Sequence, residues 1–190
     1  MGARKASYYR QSRRTKSRLA SAAKTRLRIH VDLERTRSTA ADAASAARFA
    51  GDESGLEVRE YGAKGRGVAA TRAFPRGIPL LEYAGELVSH EEGLRRELAM
   101  GPEDGCFLFF FRHGGRQYCI DATPESGRLG RLVNHSRWRA NARPLAVVLA
   151  DGVPRIFLLA DRDIARGEEI VFDYGDARPA AVEDNPWLND

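Results

Sequence analysis

Three short polar stretches carry the residue types that could perform chemistry. The first is residues 128–136, where two arginines, a glycine, an asparagine, a histidine and a serine surround only three aliphatic side chains. Neither a helical nor a strand period explains this mixture. Asn134 and His135 place hydrogen-bond donors and acceptors at adjacent positions, as a loop that grips a polar ligand would. A capped turn is the simpler interpretation, and this stretch alone does not choose between the two.

The other two stretches lie upstream and downstream of this loop. Lys64-Gly65-Arg66-Gly67 is a basic turn in which bare backbone can approach a ligand, although an ordinary β-turn has the same composition. Residues 171–176 read Val-Phe-Asp-Tyr-Gly-Asp, a strand end with two aromatic side chains. A basic glycine turn, an Asn-His-Ser loop and an aromatic-Asp-Tyr-Gly strand end, in this order, resemble the SET-domain lysine methyltransferases.

Several further motifs extend the resemblance over most of the chain, from about residue 56 to the C-terminus. They are Glu82-Tyr83 before Gly85-Glu86, residues 118–123, residues 151–154, residues 162–164 with 167–169, and residues 185–188. This ordered set is similar to the PR-Set type, the histone H4 lysine-20 methyltransferases. Each motif is weak alone, and their order makes the resemblance specific.

Length and composition bound the class of protein. The 190 residues suit one domain plus an appendage, and 43% hydrophobic residues suffice for a core. With no run of eighteen apolar residues and no apolar N-terminal segment, we expect neither a transmembrane helix nor a signal peptide. The two cysteines, Cys106 and Cys119, form neither a disulfide framework nor a zinc site, so no metal is expected.

Charge is distributed unevenly along the chain. Residues 1–30 contain ten Lys or Arg and no Asp or Glu, whereas residues 31–190 carry a net charge of −5. A basic arm suits the phosphate backbone of DNA, because each phosphate contact adds salt-dependent affinity. The acidic remainder suits a basic peptide substrate. A solvated arm without a partner is the alternative interpretation.

From residue 56 onward, short alternating runs between glycine and proline signals predict a β-rich α+β domain, with hairpin turns at Gly114-Gly115 and at Asp151-Gly152. The resemblance implies the SET fold, in which small curved sheets surround a knot-like crossing of the Asn-His-Ser and Asp-Tyr-Gly segments, without a zinc-binding post-SET segment. We expect a basic, mobile arm over 1–37, a helix within 38–55, the SET domain over 56–176 and a C-terminal segment over 177–190 that completes the cofactor pocket. Ser89 and Glu92 predict a capped helix, with Leu94 and Leu98 on one face.

The resemblance implies S-adenosyl-methionine as the cofactor. The residues that match the family's cofactor contacts are Lys64, Gly65, Arg66, Phe107, Asn134, His135 and Trp187. Phe107 stands where the PR-Set type usually has tyrosine, so a hydroxyl contact is absent. Trp187 is placed to stack on the adenine. Packing alone would also explain these two side chains, Phe107 as a core aromatic and Trp187 as a C-terminal anchor.

Three further residues match the catalytic positions of the family. Tyr174 corresponds to the tyrosine beside the transferring methyl group, and Tyr83 to a channel tyrosine that hydrogen-bonds the lysine amine. Phe172 stands where the PR-Set type usually has a tyrosine whose bound water stops the reaction after one methyl group. The phenylalanine in place of that tyrosine favours the addition of further methyl groups, unless other residues of the channel still stop the reaction after the first. Arg131 is interpreted as structural.

The resulting hypothesis is a histone lysine methyltransferase of the nucleus and chromatin, acting as a monomer on histone H4 in the nucleosome, with DNA contact through the basic arm and no membrane association. One alternative keeps the enzyme but changes the substrate to another histone or a non-histone lysine. A second is a catalytically inactive SET-fold chromatin-binding module. A third, a protein that only binds nucleic acid, fits the arm but not the acidic residues 31–190.

Overall fold

The structure is a computed structural model that describes residues 28–34, 39–49, 51–101, 105–176 and 183. Most of the expected N-terminal arm and most of the expected C-terminal segment lie outside these residues. Within the described part of the chain, no helix is long and apolar enough to cross a membrane.

Eleven described strands form three small sheets, and two helices lie beside them. The strands are β1 Ile29–Asp32, β2 Leu56–Glu60, β3 Arg66–Ala70, β4 Pro79–Glu82, β5 Glu86–Ser89, β6 Leu108–His113, β7 Arg116–Asp121, β8 Asn134–His135, β9 Ala142–Val148, β10 Pro154–Ala160 and β11 Glu169–Phe172. The helices are α1 Ala40–Phe49 and α2 His90–Ala99. The sheet orders are β1-β6-β7-β5, β4-β10-β9 and β2-β3-β11-β8. The predicted β-rich α+β fold is confirmed.

The two hairpins expected from the sequence supply much of the core. β6 and β7 pair antiparallel across Gly114 and Gly115, whose positive φ angles of 58° and 74° match the tight turns that suit a twisted hairpin. β9 and β10 form the second hairpin, in full register from Ala142 to Val148. Because the strands bury large apolar side chains, the hairpins hold the loops between them in fixed positions.

The first strand corrects the boundary of the expected N-terminal arm. Residues 1–37 were expected to form one mobile arm, but Ile29–Asp32 form β1, which pairs parallel with β6. Ile29 is buried, and Arg28 binds the Glu97 carboxylate at 2.6 Å. The partner strand lies some eighty residues away in sequence, so no local pattern reveals the pairing.

Helix α1 lies within the range expected for a helix. Thr39 and Asp42 cap it reciprocally: the Asp42 N–H donates to Thr39 Oγ1 at 3.1 Å, and the Thr39 N–H donates to Asp42 Oδ2 at 2.8 Å. Ala46 is buried in a cluster with Leu145 and Val147, so α1 packs on the β9–β10 hairpin.

Helix α2 begins at the expected cap. The Glu92 N–H donates to Ser89 Oγ at 3.1 Å. Of the two leucines predicted to share a helix face, Leu94 packs against the sheet, whereas Leu98 is 83% exposed. Gly93 and Glu97 are the buried residues of the helix. An added Cβ at Gly93 would lie 2.7 Å from a side-chain atom of β7, so only glycine allows this close helix–sheet contact.

Candidate active site

The candidate site is built where β8 crosses against β11. The two strands run parallel, with Asn134 opposite Val171 and His135 opposite Phe172. Beyond the strands, the Ser136 N–H donates to the Phe172 carbonyl at 3.2 Å, and the Tyr174 N–H donates to His135 Nδ1 at 3.0 Å. The predicted threading of the Asn-His-Ser segment against the Asp-Tyr-Gly segment is therefore confirmed.

Tyr174 is held rigidly inside this crossing. Its hydroxyl donates to the Val133 carbonyl at 2.7 Å, and its side chain is 9% exposed. Burial raises the pKa of Tyr174 above its ordinary value, so the hydroxyl remains neutral. Because its proton is committed to Val133, the oxygen can still accept a contact from a group placed beside it.

Tyr174 and three other buried aromatic rings form a continuous apolar cluster. Phe172 lies 4.9 Å from Tyr174 between ring centroids, Phe109 stacks on Phe172 at 6.1 Å, and Tyr83 meets the edge of Phe109 at 5.0 Å. The structure thus brings together Tyr83, Phe172 and Tyr174, and adds Phe109, which the sequence interpretation did not single out. Strand alternation in the run 107–111 was the available signal, because it turns alternate phenylalanines to one face.

Tyr83 is fully buried, and burial raises its pKa well above 10. Its hydroxyl donates to the Phe107 carbonyl at 3.1 Å. This bond fixes the ring and leaves the oxygen lone pairs for another donor. Tyr83 thereby connects the aromatic cluster to Phe107, one of the residues matched to the cofactor pocket.

The basic glycine turn packs directly on the Asn-His-Ser loop. Lys64 Nζ donates to the His135 carbonyl at 3.3 Å. Gly65 has a φ of 71°, a conformation that favours glycine. An added Cβ at Gly67 would lie 2.5 Å from Asn134 Nδ2. The turn and the loop therefore form one wall of the site.

Two of the polar side chains matched to the cofactor pocket interact with neighbouring carboxylates, one through a hydrogen bond and one through an ion pair. The Asn134 amide donates to Glu169 Oε1 at 3.0 Å, which fixes its orientation. The Arg66 guanidinium lies 2.8 Å from Glu125 on the exposed side of the turn. This ion pair engages the Arg66 side chain, whereas the Arg66 backbone is part of the turn.

Arg131 and Phe107 form the other wall of the site. The guanidinium of Arg131 lies 3.8 Å from the centroid of the Phe107 ring. Its Nε and Nη1 atoms are buried and have no hydrogen-bond partner among the described residues. Buried donors of a charged group need an acceptor, so this position suits a ligand carboxylate. The sequence interpretation assigned Arg131 only a structural role.

These features fit S-adenosyl-methionine, which carries a carboxylate, a sulfonium methyl group and an adenine. The buried donors of Arg131 suit the carboxylate, and the glycine turn with His135 offers backbone groups to polar edges. Trp187, matched to adenine stacking, lies outside the described residues.

Comparison with known proteins agrees with this geometry. The sequence model of the SET-domain family matches residues 65–175, more than half of the chain. The histone-lysine N-methyltransferase Set8 of Drosophila melanogaster is 46% identical over 136 residues, covering 70% of this chain and 19% of that protein. The N-lysine methyltransferase KMT5A-A of Danio rerio is 43% identical over 140 residues, covering 73% of this chain and 40% of that protein.

A solved structure shows the same fold. The crystal structure of CpSET8 from Cryptosporidium matches with a TM-score of 0.57 and 35% sequence identity, over 65% of this chain and 59% of that one. The matched region spans 19% of the length of the Drosophila Set8 protein and 40% of the length of the Danio rerio protein, so the chain covers less than half of either relative. From its motifs, its crossing of β8 and β11 and the matched domain model, the chain belongs to the SET-domain family.

Proposed function

We propose that the chain is an S-adenosyl-methionine-dependent lysine methyltransferase that modifies a histone, with lysine 20 of histone H4 as the target. The carrying observation is the position of the Tyr174 hydroxyl, fixed by Val133 within the buried aromatic cluster and against the Asn-His-Ser loop. The names of the related Set8 and KMT5A proteins, which are histone-lysine and lysine methyltransferases, support the reaction class.

Binding of the cofactor is assigned to the two walls described above. Lys64, Gly65 and Arg66 would offer the turn, Asn134 and His135 the loop, and Phe107 an apolar face. Arg131 would receive the carboxylate on its buried donors. Trp187 is proposed to close the adenine end. When bound, the cofactor supplies an electrophilic methyl group whose carbon–sulfur bond breaks as the lysine nitrogen attacks in line.

The aromatic cluster prepares the lysine amine. Tyr83, Phe109 and Phe172 offer apolar surface that disfavours an ammonium ion, so entry of the lysine lowers the pKa of its amine and favours the neutral nucleophile. The Tyr83 oxygen can then accept a hydrogen bond from the amine. The Tyr174 oxygen can hold the methyl group in line as charge moves from sulfur to nitrogen. Alignment of this kind lowers the barrier because the entropy of bringing the reacting atoms together is lost on binding rather than in the transition state.

The product is proposed to go beyond the monomethyl stage. Phe172 is fully buried among Phe109 and Tyr174 and has no hydroxyl to hold a water beside the lysine nitrogen. A well-held water must be displaced before a methylated amine can turn its lone pair toward sulfur. Without that hydroxyl the water has one partner fewer, so a second methyl transfer meets less resistance.

The proposed setting is chromatin in the nucleus, with the chain acting as a monomer. The ten positive charges of residues 1–30, without a negative charge among them, suit nucleosomal DNA. The net charge of −5 over residues 31–190 suits a basic histone tail.

One experiment tests this proposal directly. The full chain is incubated with recombinant nucleosomes and labelled S-adenosyl-methionine, and the histone tails are analysed by mass spectrometry. Label on lysine 20 of histone H4 is the expected result. Label on another lysine would retain the enzyme and change its substrate. No transfer to any histone, combined with cofactor binding in calorimetry, would contradict the proposal and favour a binding module.

A further inference from the structure

We propose that the Arg-Trp-Arg loop, formed by Arg137, Trp138 and Arg139 between β8 and β9, binds the sugar–phosphate backbone of duplex DNA. This surface is separate from the basic arm. DNA binding by the loop does not require methyltransferase activity, whereas its use on a nucleosomal substrate rests on the proposed function. None of the three residues is assigned to the candidate active site, although Trp138 and Arg139 border a cleft that Lys64 also lines.

The exposure of the loop is the first observation. Trp138 is 74% exposed and is the one aromatic among the large, exposed hydrophobic side chains in the described part of the chain. Arg137 and Arg139 are also exposed. The Arg137 guanidinium lies 5.5 Å from the centroid of the Trp138 ring, which orients the cation beside the indole. An exposed indole with one guanidinium beside it and a second exposed arginine next in sequence is typical of a contact surface rather than of a solvated turn.

The loop is held firmly at both ends. Ser136 and Asn141 are each 1% exposed. The Arg139 N–H donates to Ser136 Oγ at 3.0 Å. The Asn141 side chain accepts from the Val171 N–H at 2.9 Å and donates to the Glu169 carbonyl at 2.7 Å. Because buried bonds to β11 fix both ends, little conformational entropy remains to be lost when a ligand binds the loop.

Local charge favours an anionic partner. Within the described residues, neither Arg137 nor Arg139 forms an ion pair. The loop borders a cleft of ≈ 400 Å³ that is also lined by Lys64, Arg162, Glu168 and Glu169. Arg162 pairs with Glu168, and Lys64 together with Arg139 outnumbers the remaining carboxylate, Glu169, so the net charge of the cleft lining is positive. The loop is therefore a positive surface on a part of the chain whose net charge is negative.

Duplex DNA matches this combination better than an acidic peptide does. Guanidinium groups bind phosphate in a bidentate manner. The indole offers an N–H donor for a phosphate oxygen and an apolar face for a deoxyribose. Such contacts carry no base information, so the surface would act on DNA of any sequence, as a nucleosomal substrate requires.

Fluorescence anisotropy of the full chain with a labelled 30-base-pair duplex tests the proposal. Affinity is measured from low to moderate salt. The double variant Arg137→Ala/Arg139→Ala should bind more weakly, and the slope of log affinity against log salt should become shallower by about 1.8, because each phosphate contact contributes about 0.9. Trp138→Ala should weaken binding several-fold without changing the slope, since it removes no charge.

The charge-matched control is Arg112→Ala/Arg116→Ala, two exposed arginines of the β6–β7 hairpin in another sheet. It should keep the wild-type slope. A slope that shifts equally in both double variants would overturn the proposal, because net charge alone would then explain the effect. Trp138→Ala should also keep wild-type kinetics on a free histone peptide. A loss on the peptide as large as that on nucleosomes would assign the loop to cofactor or peptide binding and would equally overturn the proposal.

Discussion

The hydroxyl of Tyr174 is the group on which the proposed methyl transfer depends most. It is buried, neutral and bonded to the Val133 carbonyl at 2.7 Å. Tyr174→Phe should lower kcat by about 100- to 1,000-fold, the typical cost of losing one preorganised group. Cofactor affinity should stay within a few-fold, because the ring remains. Single-turnover kinetics with calorimetry on the same preparation measure both quantities.

A stability control accompanies this variant. Loss of the hydroxyl leaves the Val133 carbonyl without its partner, which costs about 1–3 kcal/mol of stability. Thermal unfolding of Tyr174→Phe therefore has to confirm that the protein is folded at the assay temperature. Near-normal turnover in the folded variant would remove Tyr174 from the mechanism.

Phe172 decides the proposed product state. Wild-type protein should yield dimethyl-lysine, and trimethyl-lysine on long incubation. Phe172→Tyr should return the product to monomethyl-lysine with little change in the first transfer, because the added hydroxyl can hold one water beside the amine. Mass spectrometry of extended reactions at high enzyme concentration reads the product directly. Wild-type protein that stops at the monomethyl stage would contradict the assignment.

At the scale of elements, the pairing of β8 with β11 carries both the fold and the site. His135→Ala removes the acceptor of the Tyr174 N–H, and Asn134→Ala leaves Glu169 Oε1 without its amide donor. Each variant should lower thermal stability and also weaken cofactor binding by the folded protein. Differential scanning calorimetry and isothermal titration measure the two effects. Lower stability with unchanged cofactor affinity would assign this pairing to the fold alone.

The turn before β11 makes a pH-dependent contribution to stability. The hydrogen bond from Arg162 lowers the pKa of Glu168 from an ordinary 4.5 to about 2; burial opposes this shift, and the Ala165 N–H adds to it. A lowered pKa in the folded state means that the stabilisation is complete above about pH 4.5 and is lost as the pH falls toward 2. Glu168→Gln should therefore destabilise the protein at pH 7 and much less at pH 2.5.

Urea unfolding at the two pH values measures this difference. The matched control is Glu60→Gln, which removes the same charge from an exposed position on β2. It should change stability little at either pH. An equal effect of Glu168→Gln at both pH values would show that packing of the side chain, rather than its ionisation, stabilises the turn.

At the scale of the whole molecule, the basic arm and the folded part should be separable. Arg28 binds Glu97 and Asp176, and β1 begins at Ile29, so a truncation should end at residue 27. Deletion of residues 1–27 removes nine positive charges. Activity on a histone peptide should be retained, whereas activity on nucleosomes should fall and depend less on salt. Equal loss on both substrates would indicate a structural role for the arm.

The sequence by itself determined the family and the local elements. Glycine pairs predicted the hairpin turn at Gly114 and Gly115, and Ser89 with Glu92 predicted the start of α2. The order of the Lys-Gly-Arg-Gly, Asn-His-Ser and Asp-Tyr-Gly motifs predicted the SET fold. These signals are readable because turns, caps and short motifs depend on residues that are close along the chain.

The tertiary structure decided what depends on contacts between distant residues. The pairing of β1 with β6 showed that residues 29–32 belong to the folded part, and the packing of Gly93 and Glu97 set the buried face of α2. Folding also brought Phe109 into the aromatic cluster and buried donors of Arg131 that have no partner among the described residues. Strand alternation can indicate the face on which Phe109 lies, but burial and hydrogen-bond satisfaction depend on which distant side chains come together on folding.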